Sequence, residues 1–220
     1  SRILLELVHR NIPVVHERGL HEQLSGRIDL TYLSDDELQG FQHPRLYFVI
    51  RRFGELCVVI CLMPLLLIIA LVISGIIKST SRGPVVFKQE RIGLHGRSFF
   101  ILKFRTMLDE ANSSGNTKFA EIRDKRVTGV GRWLRRFRLD ELPQFLNILR
   151  GEMSLIGPRP EQPLFVEQFM KQIPYYNFRH IVRPGITGWA QVRYGYAASE
   201  SQTRDKLEYD FFYIKHMSLW

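Results

Sequence analysis

The chain has 220 residues, with 31 Lys and Arg against 22 Asp and Glu, a net charge of +9. That length favours one compact domain with an appendage over two large domains, and an apolar share of 45% excludes a disordered basic tail. Two cysteines, Cys57 and Cys61, are too few for a disulfide framework or a four-cysteine zinc site, and the positive excess points to an anionic partner: nucleic acid, an acidic membrane surface or a phosphate-bearing substrate.

Residues 1–45 hold an apolar opening (Ile3, Leu4, Leu5, Leu7, Val8), a strand candidate at Pro13, Val14 and Val15, and a second at 27–32. Forty residues bury little core alone. The segment therefore reads as the tail of an upstream domain or a linker, and the chain as one that starts mid-protein. Residues 56–77 carry no charge. As a helix rising about 1.5 Å per residue they reach ~33 Å, enough for a bilayer core of about 30 Å. Arg45, Arg51 and Arg52 precede the run and Lys78, Arg82 and Lys88 follow it, so the positive-inside rule gives a single span no direction. Pro64 interrupts it, and a proline inside a helix removes a hydrogen bond and bends the axis. A bent hairpin over 46–78 that enters and leaves one leaflet accommodates all three observations; a kinked ordinary span is the alternative.

Residues 84–87 and 98–104 have strand composition and flank the turn-like 93–96, predicting an antiparallel hairpin, and 109–118 reads as a polar loop. Val130, Trp133, Leu134 and Phe137 recur at helical spacing, as do Leu142, Phe145, Leu146 and Leu149, one residue out of phase. One straight helix cannot bury both sets. The break falls at 138–141, where Asp140 suits an N-cap, Pro143 is tolerated in the first turn and Gly151 closes the far end. Gly157-Pro158-Arg159-Pro160 is a stiff turn, 161–172 a helix candidate stopped by Pro174, and 205–213 an aromatic-rich helix.

Arg123, Arg126, Arg132, Arg135, Arg136 and Arg138 crowd the approach to Asp140. Arg132, Arg135 and Arg136 share the helix face away from the apolar stripe, offering guanidinium forks to phosphate oxygens or forming a solvated face. Asp140 and Glu141 sit together in this positive field, which should keep Asp140 ionised. An ionised aspartate can attack phosphorus or bind a divalent cation, or simply cap the helix. Lys103, Arg105, Arg159 and Arg183 stand beside Phe, Pro or Gly, as placed contacts do. The sequence has neither a Walker loop nor GxGxxG, which disfavours a nucleotide triphosphatase or dinucleotide enzyme.

Five runs in order, GPVVFKQ at 83–89, KFRTM at 103–107, LDELPQ at 139–144, GEMSLIGPRP at 151–160 and RPGITGWAQV at 183–192, resemble the bacterial sugar transferases, monotopic phosphoglycosyl transferases acting on polyprenyl phosphate. The resemblance covers residues 51–220, and YGYAAS at 194–199 is similar to members serving exopolysaccharide assembly. It implies an α+β monotopic membrane enzyme on the cytoplasmic face of the bacterial inner membrane. Residues 1–45 would be the tail of a regulatory-type upstream domain or a linker, 46–78 a re-entrant membrane helix bent at Pro64, and 79–220 a small cytoplasmic catalytic domain. The implied reaction moves a sugar-1-phosphate from a UDP-sugar to polyprenyl (undecaprenyl) phosphate and releases UMP, the first membrane step of glycan assembly. Asp140 would form a covalent intermediate and bind Mg2+, with Glu141 supporting it. Arg135 and Arg159 match family arginines near the phosphates; Lys103, Arg105, Asp124, Arg126 and Thr128 match positions around the site.

The family's Lys-Arg-x-x-Asp before the membrane run is Arg51-Arg52-Phe53-Gly54-Glu55 here, and Met63 replaces a small polar residue before the proline. The implied partners are UDP-sugar, polyprenyl phosphate and membrane lipid, and no nucleic acid; oligomeric state and the sugar are left open. The rival readings are a non-catalytic adaptor whose basic surface binds anionic lipid and a nucleic-acid binder, which fits the charge but not the apolar run.

Overall fold

A computed structural model of the chain describes residues 17–33, 39–41, 43–107, 126–194 and 200–218. In chain order the elements are α1 (Glu17–Ser25), α2 (Arg45–Thr80), β1 (Val86–Ile92), β2 (Ser98–Phe104), α3 (Gly129–Arg136), α4 (Gln144–Arg150), β3 (Ser154–Ile156), α5 (Pro163–Gln172), β4 (Gly185–Thr187), α6 (Trp189–Arg193) and α7 (Glu200–Lys215). Helices and strands mix as the α+β pattern requires: β1 and β2 pair antiparallel, β3 and β4 in parallel.

The apolar run forms a helix of 36 residues that continues through Pro64. Where a bent hairpin was expected, the secondary structure is one uninterrupted helix, with Pro64 on its exposed face. Buried or half-buried positions recur along it at Leu56, Val59, Met63, Leu66, Ala70, Ile73 and Ile77, alternating by three and four, so a single stripe lies against the body. Val59 packs with Phe99, Ile101 and Ile148, and Ile73 and Ile77 with Phe104 and Leu134. Leu65, Leu67, Ile68, Leu71 and Val72 on the other face are each more than half exposed.

Both ends of α2 are tied to the same body. Near its start, Arg51 donates to Ser154 Oγ at 3.1 Å, Arg52 to the carbonyl of Ile148, and the Ser154 hydroxyl to Glu55. The Arg-Arg-x-x-Glu variant thus holds β3 and α4. Just past its end, Arg105 Nη2 donates to the Ser81 carbonyl at 2.8 Å and hydroxyl at 2.7 Å.

The predicted hairpin is present, in register from Val86 opposite Phe104 to Ile92 opposite Ser98, with its first strand two residues later than expected and extended to Ile92. His95 and Gly96 take positive φ (54° and 73°) at the turn. Open strand edges need cover. Asn147, fully buried, supplies it for β2: its Oδ1 accepts from Leu102 N at 3.1 Å and its Nδ2 donates to Phe100 O at 2.8 Å.

Two expectations change. Residues 27–32 form no strand: Asp29 accepts from Thr31 N at 2.8 Å, and Leu30–Tyr32 closes into a 3-10 turn. Ile28, Leu30, Leu33 and Phe41 share a core with Leu207, Phe211 and Ile214 of α7. On α3, Leu134 is buried and Val130 half-buried, but Trp133 and Phe137 are 54% and 55% exposed, because the short helix turns only one edge to α2. The candidates at 13–15 and 109–118 lie outside the described residues.

Candidate active site

Helix α3 starts at Thr128, whose hydroxyl accepts from Gly131 N at 2.9 Å. It lies so close to the segment after β2 that a Cβ at Gly131 would stand 2.1 Å from the Thr106 carbonyl oxygen. The helix ends where Arg138 adopts φ 57°, ψ 19°, a left-handed turn that stops the chain before α4. This is the phase break read from the apolar spacing. Asp140 is, however, not the cap of α4. It lies with Glu141 in the 3-10 turn Leu139–Glu141, and α4 begins after Pro143 without a side-chain cap.

Both carboxylates of this turn are buried. Glu141 Oε1 gathers three cations: Arg159 Nη2 at 3.3 Å, Lys103 Nζ at 3.4 Å and Arg138 Nη1 at 3.6 Å. Burial alone would raise Glu141, but Arg159, Lys103 and Arg138 outweigh it and hold its carboxyl below the usual range. Asp140 goes the other way. Burial pushes its carboxyl above the ordinary value and Glu141 adds to the rise, while Lys103 and Arg135 pull against them. Burial thus opposes the positive field on which the sequence reading of Asp140 relied. Asp140 Oδ1 is buried with no hydrogen-bond partner. Lys103, pressed by burial and by Arg159 and supported by Glu141, falls to about 8.

The predicted residues separate accordingly. Lys103, Asp140, Glu141 and Arg159 converge. Arg135 acts on Asp140 through space while its Nε donates to Thr106 Oγ1 at 2.9 Å. Arg105 is directed to Ser81 at the end of α2, and Thr128 caps α3. Arg126 adjoins the isolated Met107–Val127 bridge, and Asp124 lies outside the described residues. Arg138, read from sequence only as one of an arginine run, reaches Glu141 because the 3-10 turn brings residues three apart together.

A profile of the bacterial sugar transferases matches residues 46–220. The chain belongs to the bacterial sugar transferase family. It is 46% identical over 220 residues to the UDP-N-acetylgalactosamine-undecaprenyl-phosphate N-acetylgalactosaminephosphotransferase of Aeromonas hydrophila, covering all of this chain and 52% of that protein. It is 38% identical over 201 residues to the UDP-glucose:undecaprenyl-phosphate glucose-1-phosphate transferase of Klebsiella pneumoniae, covering 90% and 42%. With the uncharacterized sugar transferase EpsL of Bacillus subtilis it shares 39% identity over 176 residues, 78% of this chain and 81% of that one. The chain spans about half the length, 52% and 42%, of the first two of these relatives.

Among the described residues no group of three or more His, Cys, Asp or Glu side chains gathers as a metal cage. The donor set is two adjacent carboxylates, one with an unpartnered buried oxygen. Magnesium is commonly held in this way, by one or two carboxylates with substrate phosphates and water completing its shell, so the residues present fit it.

Proposed function

We propose that the chain transfers a sugar-1-phosphate from a UDP-sugar to undecaprenyl phosphate through a covalent intermediate on Asp140. One observation carries this reading: Asp140, with an unpartnered buried oxygen, adjoins a carboxylate on which Lys103, Arg138 and Arg159 converge. Such cations neutralise phosphate oxygens as charge shifts in transfer. The Asp140 carboxylate attacks the sugar-bearing phosphorus, and the bond from that phosphorus to the bridging oxygen breaks. UMP leaves with the electron pair. A phosphate oxygen of undecaprenyl phosphate then attacks the same phosphorus and expels the Asp140 carboxylate, leaving a diphosphate-linked sugar on the lipid. Desolvation that raises the carboxyl pKa also makes its ionised form a stronger nucleophile. Magnesium, held by Asp140 with the donor's diphosphate, would supply further neutralisation of phosphate charge.

The same proposal places the chain in one leaflet, at the cytoplasmic face of the bacterial inner membrane, with α2 re-entrant and its continuous helix bending, without breaking, at Pro64. Two features support this. Arg51 and Arg52 near the start of α2 and Ser81 just past its end are bonded to one body, whereas a span would set its ends on opposite sides of a bilayer. Beside α2, Trp133 and Phe137 form an exposed pair, ring centroids 5.0 Å apart, among Arg132, Arg136 and Arg138, a composition suited to the headgroup boundary. A water-soluble donor and a lipid acceptor would meet at that boundary, at the first membrane step of glycan assembly.

Detergent-purified protein supplied with magnesium, undecaprenyl phosphate and either UDP-N-acetylgalactosamine or UDP-glucose should release UMP. Asp140→Asn should release none, and without acceptor the wild type should gain the mass of a sugar phosphate. Binding to anionic vesicles with no UMP release would favour the adaptor reading instead.

A further inference from the structure

The turn that presents Arg159 to Glu141 is held from outside at every one of four consecutive carbonyls. Pro158 O accepts from Gly185 N at 3.0 Å, Arg159 O from Arg179 Nη2 at 2.9 Å, Pro160 O from Arg91 Nη1 at 3.1 Å, and Glu161 O from Ile92 N at 2.9 Å. Pro158 and Pro160 further fix φ on either side of Arg159. Of these four donors Arg179 is the one that grips Arg159 itself. It is buried, and it is oriented by two buried partners: Asp210 Oδ2 at 2.8 Å from the same Nη2, and Tyr176 Oη at 2.7 Å from Nη1. Asp210 lies on α7 one turn from Lys206, which binds Glu161 at 2.8 Å, so α7 braces the turn at two points. A buried ion pair returns little net stability against its desolvation; here, with the Tyr176 hydroxyl, it sets where the Arg179 guanidinium lies.

We propose that Arg179, oriented by Asp210, is a positioning residue that sets Arg159 for the donor's diphosphate. It acts through the Arg159 carbonyl. The inference rests on the function proposed above and adds a specific division of labour: Arg159 meets phosphate and Arg179 never does.

The test is a double-mutant cycle on the full chain, reading kcat and KM of the UDP-sugar for UMP release with Arg159→Ala, Arg179→Met and the pair. Arg179→Met should lower kcat/KM between about tenfold and a hundredfold, as small displacements of a phosphate-positioning group do. In the Arg159→Ala background the same change should cost less than about twofold, because contacts acting through one another are not additive. Equal losses in both backgrounds would overturn the positioning role while leaving the transferase reading intact. No UMP from the wild type with any UDP-sugar would overturn both. Should Arg179→Met fail to fold, Asp210→Asn, which keeps an acceptor for Arg179, replaces it in the cycle under the same criteria.

Discussion

Lys103 Nζ lies 3.4 Å from Glu141 Oε1, at the end of a strand whose outer edge is closed by Asn147. Its ammonium, lowered from 10.5 to about 8, is less protonated in the folded chain than in the unfolded one between those values. The unfolded state then binds more protons, so this group's contribution makes stability rise with pH across that window, and the cost of burying its charge is felt in full below about 8. Activity runs in the opposite sense. UMP release should fall as pH passes about 8 and Lys103 loses the charge that faces the site. Lys103→Arg should remove that alkaline limb, and a limb unchanged in this variant would assign it to another group.

Glu141→Gln keeps the shape of the side chain and removes the charge that three cations share. Leaving Lys103 and Arg159 uncompensated should destabilise the fold by on the order of 3 kcal/mol. The Lys103 ammonium should fall still further, moving the alkaline limb of the pH profile below its wild-type position. Urea unfolding and a pH series on one preparation check both effects.

Arg105 is tied to Ser81 and not to the carboxylate turn. Ser81→Ala should lower stability in micelles by about 1 kcal/mol, the usual net worth of one hydrogen bond. The donor KM of the folded protein should change less than twofold, on the order of experimental scatter. A large rise in KM would place Arg105 at the substrate after all.

Asn147→Ala would leave Leu102 N and Phe100 O without their side-chain partner on a buried strand edge. Each such loss costs about 1–3 kcal/mol. Hydrogen exchange at the Leu102 amide should accelerate while the cross-strand amides of β1 keep their protection.

Trp133 is one of three tryptophans. If α3 rests at the headgroup boundary, lipids brominated near the carbonyl end of the acyl chain should quench part of the intrinsic fluorescence in vesicles. That part should vanish in Trp133→Phe. Identical quenching in the two proteins would remove α3 from the membrane surface.

How legible each part was follows from its physics. The α2 run was legible from its uncharged apolar length, the β1–β2 hairpin from strand composition around a turn, and the break before Asp140 because burial imposes a period and α3 and α4 cannot share one stripe. The cations around Glu141 were only half legible: Lys103 and Arg159 stood out as isolated cations beside Phe and Pro and again in the motif resemblance, while the pairing itself is a long-range contact that no local spacing encodes. Trp133 and Phe137 misled, since helical spacing marks an apolar face without saying whether protein or lipid covers it. The parallel pair β3–β4 has three residues per strand, too few for any period to show. Arg179 and Asp210, 31 positions apart, left no local mark at all.

Ile28, Leu30, Leu33 and Phe41 are sealed against Leu207, Phe211 and Ile214, and that same rod of helix carries Asp210 and Lys206 on its inner side. The described residues ahead of α2 are therefore packed into the same core as α7, and a substitution that loosens Ile28 or Phe41 is expected to reach, through Asp210 and Lys206, the turn that offers Arg159.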